Sequence, residues 1–425
     1  MRNPASRLLR CAACFLGALV LAGCTKTVKE VVAIKLGPVT VQLLQAEPDG
    51  GSAQEGTALV AYAGSHAFAY LPGDEWLVVD SGWYEQVKAG DLVVFAQDLV
   101  FVNGRRQMPQ VRPAKYVNFM DNGGSEELGP VTFKPAGGNH RTNSLVSFAK
   151  ASSALYSNGL QAVEIRDGHL YVYGLNFGPF GDADHATITP DSVAVNGKAR
   201  TPQPEVAPAN PADNDLSVGP IKVKFLEAVK SFGGGSGGGG SSQYWTTDLK
   251  DHVFGYEVTS AGGSDLFVDS WWYGPVIATD EIVFGRNLVF VNGVRRAPGQ
   301  VPAAFTNFIV QPGISPLGRG SSSLITFSNV SGIGSGSSGF DPATGSFNPT
   351  TGASAQAGFL SVRINGGFIY DYGLNFGPFG VTDKAEVSPE GVAVNGIQRS
   401  PQPEPPSGAG GVVGATGSAT SSAKP

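Results

Sequence analysis

Val100-Phe101-Val102-Asn103-Gly104 is written three more times: Val193-Ala194-Val195-Asn196-Gly197, Val289-Phe290-Val291-Asn292-Gly293 and Val392-Ala393-Val394-Asn395-Gly396. Each copy sets β-branched residues on alternate positions and ends them in Asn-Gly. That dipeptide suits a type I′ turn, whose two central residues both need positive φ. Four copies of one hairpin make the chain a tandem array of small β units. Positions shared along such an array report packing before chemistry.

Outward from the hairpins, the copies are of two kinds. Asp80-Ser81-Gly82-Trp83-Tyr84 matches Asp269-Ser270-Trp271-Trp272-Tyr273, and 99–104 matches 288–293, which pairs the first unit with the third. Tyr173-Gly174-Leu175-Asn176-Phe177-Gly178-Pro179-Phe180-Gly181 recurs at 372–380, which pairs the second with the fourth. Both of these units close on Pro-Gln-Pro-Glu, at 202–205 and 401–404. Leu36-Gly37-Pro38-Val39, Leu128-Gly129-Pro130-Val131 and Val218-Gly219-Pro220-Ile221 mark unit starts, and the fourth start, near Leu317-Gly318, is blurred. Asn103 and Asn196 lie about 93 residues apart, close to the size of an immunoglobulin-like sandwich. The expected fold is all-β: four tandem immunoglobulin-like β-sandwich units arranged as two duplicated pairs, at 36–127, 128–217, 218–313 and 314–404.

Trp76-Leu77-Val78-Val79, Leu92-Val93-Val94-Phe95 and Leu99-Val100-Phe101-Val102 read as strands, and nothing beyond the N-terminus has helical periodicity. The Pro/Ala-rich stretch 206–215 links the halves. The Gly/Ser run 233–242 and the Gly/Ser/Thr stretch 331–358 read as flexible excursions between strands. Residues 405–425 read as a disordered tail with nothing to bury.

The formal net charge of −6 argues against a nucleic-acid partner, which needs a basic stripe. At the N-terminus, Arg2, Arg7 and Arg10 precede a short apolar core at 11–20, too short to span a bilayer. Leu21-Ala22-Gly23-Cys24 follows and resembles the lipobox of bacterial lipoproteins; an ordinary secretory signal is the alternative. The resemblance implies a signal peptide at 1–23, lipidation of Cys24, a tether at 24–35 and a membrane partner reached through the anchor. Thr25, rather than Asp, after the Cys implies the outer membrane of the cell envelope. Cys11 and Cys14 would leave with the signal, so the mature chain would hold no free thiol. Disulfides, Cys-ligated zinc and a Cys nucleophile would then be excluded. Loss of the three arginines makes the mature chain more acidic still.

Leu170-Tyr171-Val172-Tyr173-Gly174-Leu175-Asn176-Phe177-Gly178, followed by Val193-Ala194-Val195-Asn196-Gly197, resembles IPT/TIG immunoglobulin-like domains. The fourth unit repeats the pattern with Gly373, Asn375, Phe376 and Gly377; the first and third lack it. The resemblance implies a fold and no activity. In physical terms the Gly permits a bend, the Asn bonds the turn backbone and the Phe plugs the core.

Two stretches suggest peptidase chemistry. Asp80-Ser81-Gly82 resembles the motif of aspartic peptidases, and Asp269 would be the second lobe's acid, the two carboxylates sharing a proton. The second copy has Trp271 in place of the Gly, and an Asp held in a strand-end turn is the competing reading. Ser65 and the strands after it resemble pieces of type I signal peptidases, in which a Lys activates a Ser. Here Lys115 and Lys150 are the only nominal bases.

His66, His140, His169, His185 and His252 show no ligand spacing and no recurrence between halves. Asp91, Asp184, Asp280 and Asp383 precede a strand in all four units and read as Asx turns rather than calcium ligands. Trp83, Tyr84, Trp271, Trp272 and Tyr273 cluster at one point of the unit. They are core, or a surface that stacks on a glycan or an envelope protein. The expected protein is a lipid-anchored envelope protein with a non-catalytic binding or structural role. No cofactor or metal is implied. The alternative is an envelope peptidase using Asp80 and Asp269, or Ser65.

Overall fold

A computed structural model describes the strands and turns between residues 32 and 405, continuously at 58–110, 161–205 and 264–299. The signal segment, Cys24 and residues 406–425 lie outside the described residues, with 206–214 and much of 331–358. No described helix is long and apolar enough to cross a membrane.

The first unit is built from β1 (Val32–Leu36), β2 (Val39–Leu43), β3 (Ser52–Glu55), β4 (Ala58–Ala63) and β5 (His66–Leu71). It continues through β6 (Trp76–Val79), β7 (Gly82–Tyr84), β8 (Leu92–Ala96), β9 (Leu99–Val102) and β10 (Arg105–Gln107). β3 to β7 form one five-stranded sheet in chain order. The flanking hairpins form the other, in the order β1-β2-β8-β9-β10, joined by the parallel pair β2 and β8. The second and third units repeat this plan, their outer hairpins likewise joined by a parallel pair. The fourth differs: its Ile325–Ser328 strand runs antiparallel to Lys384–Ser388. All four units are therefore two-sheet β-sandwiches. The strand order is their own, a full meander over split hairpins, where an immunoglobulin domain divides its strands as ABED and CFG.

Each Val-x-Val-Asn-Gly hairpin occupies the same place, the last turn of the split sheet. Asn103, Asn196, Asn292 and Asn395 all have φ near +50° and the following glycines +76° to +80°, as a type I′ turn requires. The Leu/Val-Gly-Pro motif lies in the turn between a unit's first two strands, with Gly37 and Gly219 at φ +62° and +60°. The first strand therefore precedes it, and β1 starts inside the stretch expected as tether. The Gly/Ser run also departs from expectation. Gly233–Gly239 is an edge strand, paired antiparallel from Gly233↔Asp248 to Gly239↔Ser242. The long neighbouring strand supplies backbone partners along its length, and glycine raises no steric objection to an extended chain.

Inner faces of the two sheets make each unit's core. In the first unit Val41, Leu43, Phe68, Tyr70, Leu77, Val93, Phe95 and Val100 meet. The opposite face of β8 and β9 is apolar too. Val94, Ala96, Leu99 and Phe101 complete the core of the fourth unit, where Phe101 and Phe376 sit edge to face at 5.8 Å. Val283, Leu288 and Phe290 of the third unit enter the second unit's core in the same way, Phe290 against Phe177 at 5.9 Å. The two halves thus clasp crosswise, first to fourth and third to second, about a local twofold axis.

Candidate functional site: two histidine–aspartate dyads

The hairpin turn after β6 recurs in every unit as two consecutive residues at positive φ: Asp80-Ser81, Tyr173-Gly174, Asp269-Ser270 and Tyr372-Gly373. The odd units put an acid first. Asp80 Oδ1 accepts the Ala67 N–H at 2.9 Å, and its Oδ2 lies 2.6 Å from His66 Nδ1. Asp269 does the same with the Val253 N–H at 2.9 Å and His252 Nδ1 at 2.7 Å. The histidines do recur between halves, contrary to expectation. The separation from His to Asp is 14 residues in one copy and 17 in the other, so an ungapped comparison misses the pair. His66-Ala67-Phe68 and His252-Val253-Phe254 carried the signal.

The two dyads lie in different surroundings. His66 is 2% exposed and closed in. Gly174 donates its N–H to Ser65 Oγ at 2.7 Å, and Arg286 Nη1 donates to the Gly174 carbonyl at 3.0 Å. A Cβ on Gly174 would fall 2.7 Å from His66 Nε2 and overlap Arg286, so only glycine fits there. The second dyad is roomier. Gln97 replaces Arg286, reaching the Gly373 carbonyl at 3.4 Å, and a Cβ on Gly373 would meet nothing closer than 3.4 Å. Beside His252 a cavity of about 120 Å³ is lined by Phe225, Leu249, Phe284, Glu227, Asp251 and Arg363, among others. Asp251 and Arg363, in the places of Ser65 and Glu164, form a bidentate pair at 2.9 and 3.2 Å. Burial works to lower the His252 pKa, but Asp269 outweighs it and holds the imidazole above its ordinary value. The cavity therefore meets a ring biased towards its protonated form.

Between the dyads, the turns Gln97-Asp98 and Arg286-Asn287 meet near the local axis. Asp98 Oδ2 lies 3.2 Å from Arg286 Nε, and Asn287 Nδ2 donates to Gln97 Oε1 at 3.3 Å. His66, Asp80 and Asp98 bring ligand atoms within 4.8 Å of one another, a spacing that could hold a metal ion. Those atoms already face the Ala67 N–H, the imidazole and the Arg286 guanidinium, which together make a buried ion network.

The residues singled out from sequence fall as follows. Asp80 and Asp269 are not paired to each other in this arrangement; each carboxylate is taken by its own histidine. Ser65 Oγ accepts a backbone N–H, and the side chains of Lys115 and Lys150 lie outside the described residues. Trp83, Tyr84 and Tyr273 are core residues, 2% to 5% exposed. Trp271 and Trp272 are half-buried; Trp272 Nε1 donates to Asp265 at 2.8 Å, and the Arg106 guanidinium lies over the Trp271 ring. The aromatic group is turned to packing rather than to a stacking face. The acids Asp91, Asp184, Asp280 and Asp383 do close the loop before their strand, but not as Asx turns, which bond the N–H two residues on. Each accepts a backbone N–H three residues earlier and the amide of the hairpin Asn, at 2.6 to 2.8 Å. In Asn176 and Asn375 the side-chain oxygen accepts the N–H of Gly178 and Gly377, at 2.7 and 2.8 Å.

Compared with family models, with curated proteins and with solved structures, the chain matches none.

Proposed function

We propose that this chain is a lipid-anchored protein of the bacterial cell envelope, acting as a non-catalytic binding protein built on a rigid frame of four β-sandwiches. The observation that carries the binding role is the asymmetry of the dyads. Duplication made two, and one of them opens on a cavity that combines charged and polar side chains with Phe225, Leu249 and Phe284. Among the described residues the cavity lining holds no Ser, Thr, Cys or Lys. The anchor rests on the lipobox at Leu21-Ala22-Gly23-Cys24. A peptidase would need Asp80 facing Asp269, or Ser65 facing a base, and the hydrogen bonds of all three are committed elsewhere.

The test has two arms. Cys24→Ala should abolish palmitate labelling and move the protein from the membrane to the soluble fraction. A thermal-shift screen of envelope glycans and short peptides should yield ligands that stabilise the wild type and not His252→Ala. Unchanged fractionation would defeat the anchor. Hydrolysis of a peptide substrate by the wild type, lost in His252→Ala, would replace binding with catalysis.

A further inference from the structure

A second polar cavity lies on the local twofold axis, away from His252. Its volume is about 30 Å³, and its lining comes in matched residues from the two halves: Tyr84 with Tyr273, Arg106 with Arg295, Asp98 with Asn287. Arg296 joins them where the other half has Gln107. We infer that this cavity is a binding site for a small inorganic anion.

Three observations converge on it. The lining carries three guanidinium groups against one acid, Asp98, which is itself shared with Arg286. Arg106 is 7% exposed and its Nη1 has no hydrogen-bond partner, and the buried Nε of Arg296 has none either. The Arg106 guanidinium lies over the Trp271 and Tyr372 rings at 5.0 and 4.8 Å, contacts that hold its charge but accept no hydrogen bond in its plane. A buried donor left unmade is costly, so the cavity favours an acceptor. The tyrosines do not supply the missing charge. Burial pushes the phenols of Tyr84 and Tyr273 up to about 12, so both stay neutral. Asp371 interacts with Arg106, but its carboxyl is raised well above the usual range, by burial first and then by Asp269 and Asp251, which biases it towards the neutral form.

About 10–15 Å³ of such a cavity is enough for one water molecule, so its 30 Å³ admits a small ion. A water would satisfy hydrogen bonds, whereas an anion such as chloride also meets the excess of guanidinium charge in the lining. The site joins the two halves at their axis, so its occupancy should stabilise the clasp between them through mass action.

The experiment compares thermal unfolding of the detergent-purified full chain in sodium chloride, sodium bromide and sodium gluconate at one ionic strength. The expected result is a saturable rise in Tm with chloride and bromide over gluconate. That rise should be lost in Arg106→Gln and reduced in Arg296→Gln, a half-exposed position that keeps the variant foldable. Crystals grown in bromide should show an anomalous peak between Arg106, Arg295 and Arg296. Equal Tm in all three salts, or a halide effect that both variants retain, would overturn the assignment and leave a water-filled gap.

Discussion

At the scale of single residues, Asp269 shows how one side chain serves fold and site together. Its backbone sits at φ +50°, a conformation Asp tolerates better than most residues, and its two oxygens tie the turn to the start of the neighbouring strand. The same contact fixes the His252 ring and raises its pKa. A group whose folded-state pKa is raised contributes stability that is full below the unfolded value and fades as pH rises through the folded value. For His252 the unfolded value is 6.5, so the folded protein should lose stability as pH climbs above that point. Denaturant unfolding followed from pH 6 to 9 should show the decline, and Asp269→Asn should flatten it. A histidine resonance titrating below 6.5 by NMR would contradict the assignment. The dyads were only half legible in the sequence. The Asp-Ser pair announced itself by repetition, but its histidine was displaced by three residues, because the two strands between them are longer in the third unit, and spacing without gaps cannot follow such a shift.

At the scale of elements, the difference between Val-Phe-Val and Val-Ala-Val carries more than the repeat itself. In β9 Val100 faces the first unit's own core and Phe101 the fourth unit's, and every residue but the last is buried. In the Val193–Val195 strand the valines are buried and Ala194 is half-exposed. A strand covered on both faces reads as continuously apolar, and one covered on a single face alternates. The odd units' strands therefore already stated that a second layer lies over them. What the sequence could not state is which unit supplies it, because that depends on how the halves turn about their axis. The prediction follows the layers. Phe101→Ala should destabilise the whole protein by about 3–5 kcal/mol, the usual cost of removing a core Phe. Ala194→Ser, at the matching position of the second unit, should stay within about 0.5 kcal/mol, as half-exposed positions do. Urea midpoints at constant slope would measure both, and equal effects would show that β9 is covered on one face only.

At the scale of the whole molecule, the repeat is not a string of independent beads. Cores are shared crosswise, and the diverged turns Gln97-Asp98 and Arg286-Asn287 meet as acid and base. Two identical halves would have made one contact twice; here one copy is an ion pair, Asp98 with Arg286, and the other a hydrogen bond, Asn287 with Gln97. The duplicated halves have become complementary, and separate chains split within 206–214 should still associate when co-expressed. Asp98→Arg should weaken their co-purification, and Asp98→Arg with Arg286→Asp should restore it in part. Independent behaviour of the fragments, with no copurification, would refute the clasp. The clasp also bears on synthesis. A chain emerging N-terminus first presents Val94, Leu99 and Phe101 long before Phe376 and Val394 exist to cover them. Its first domain must wait, greasy side bare, for the last strands to arrive. Chaperoning would therefore be needed most by a molecule three-quarters made, and least by a finished one.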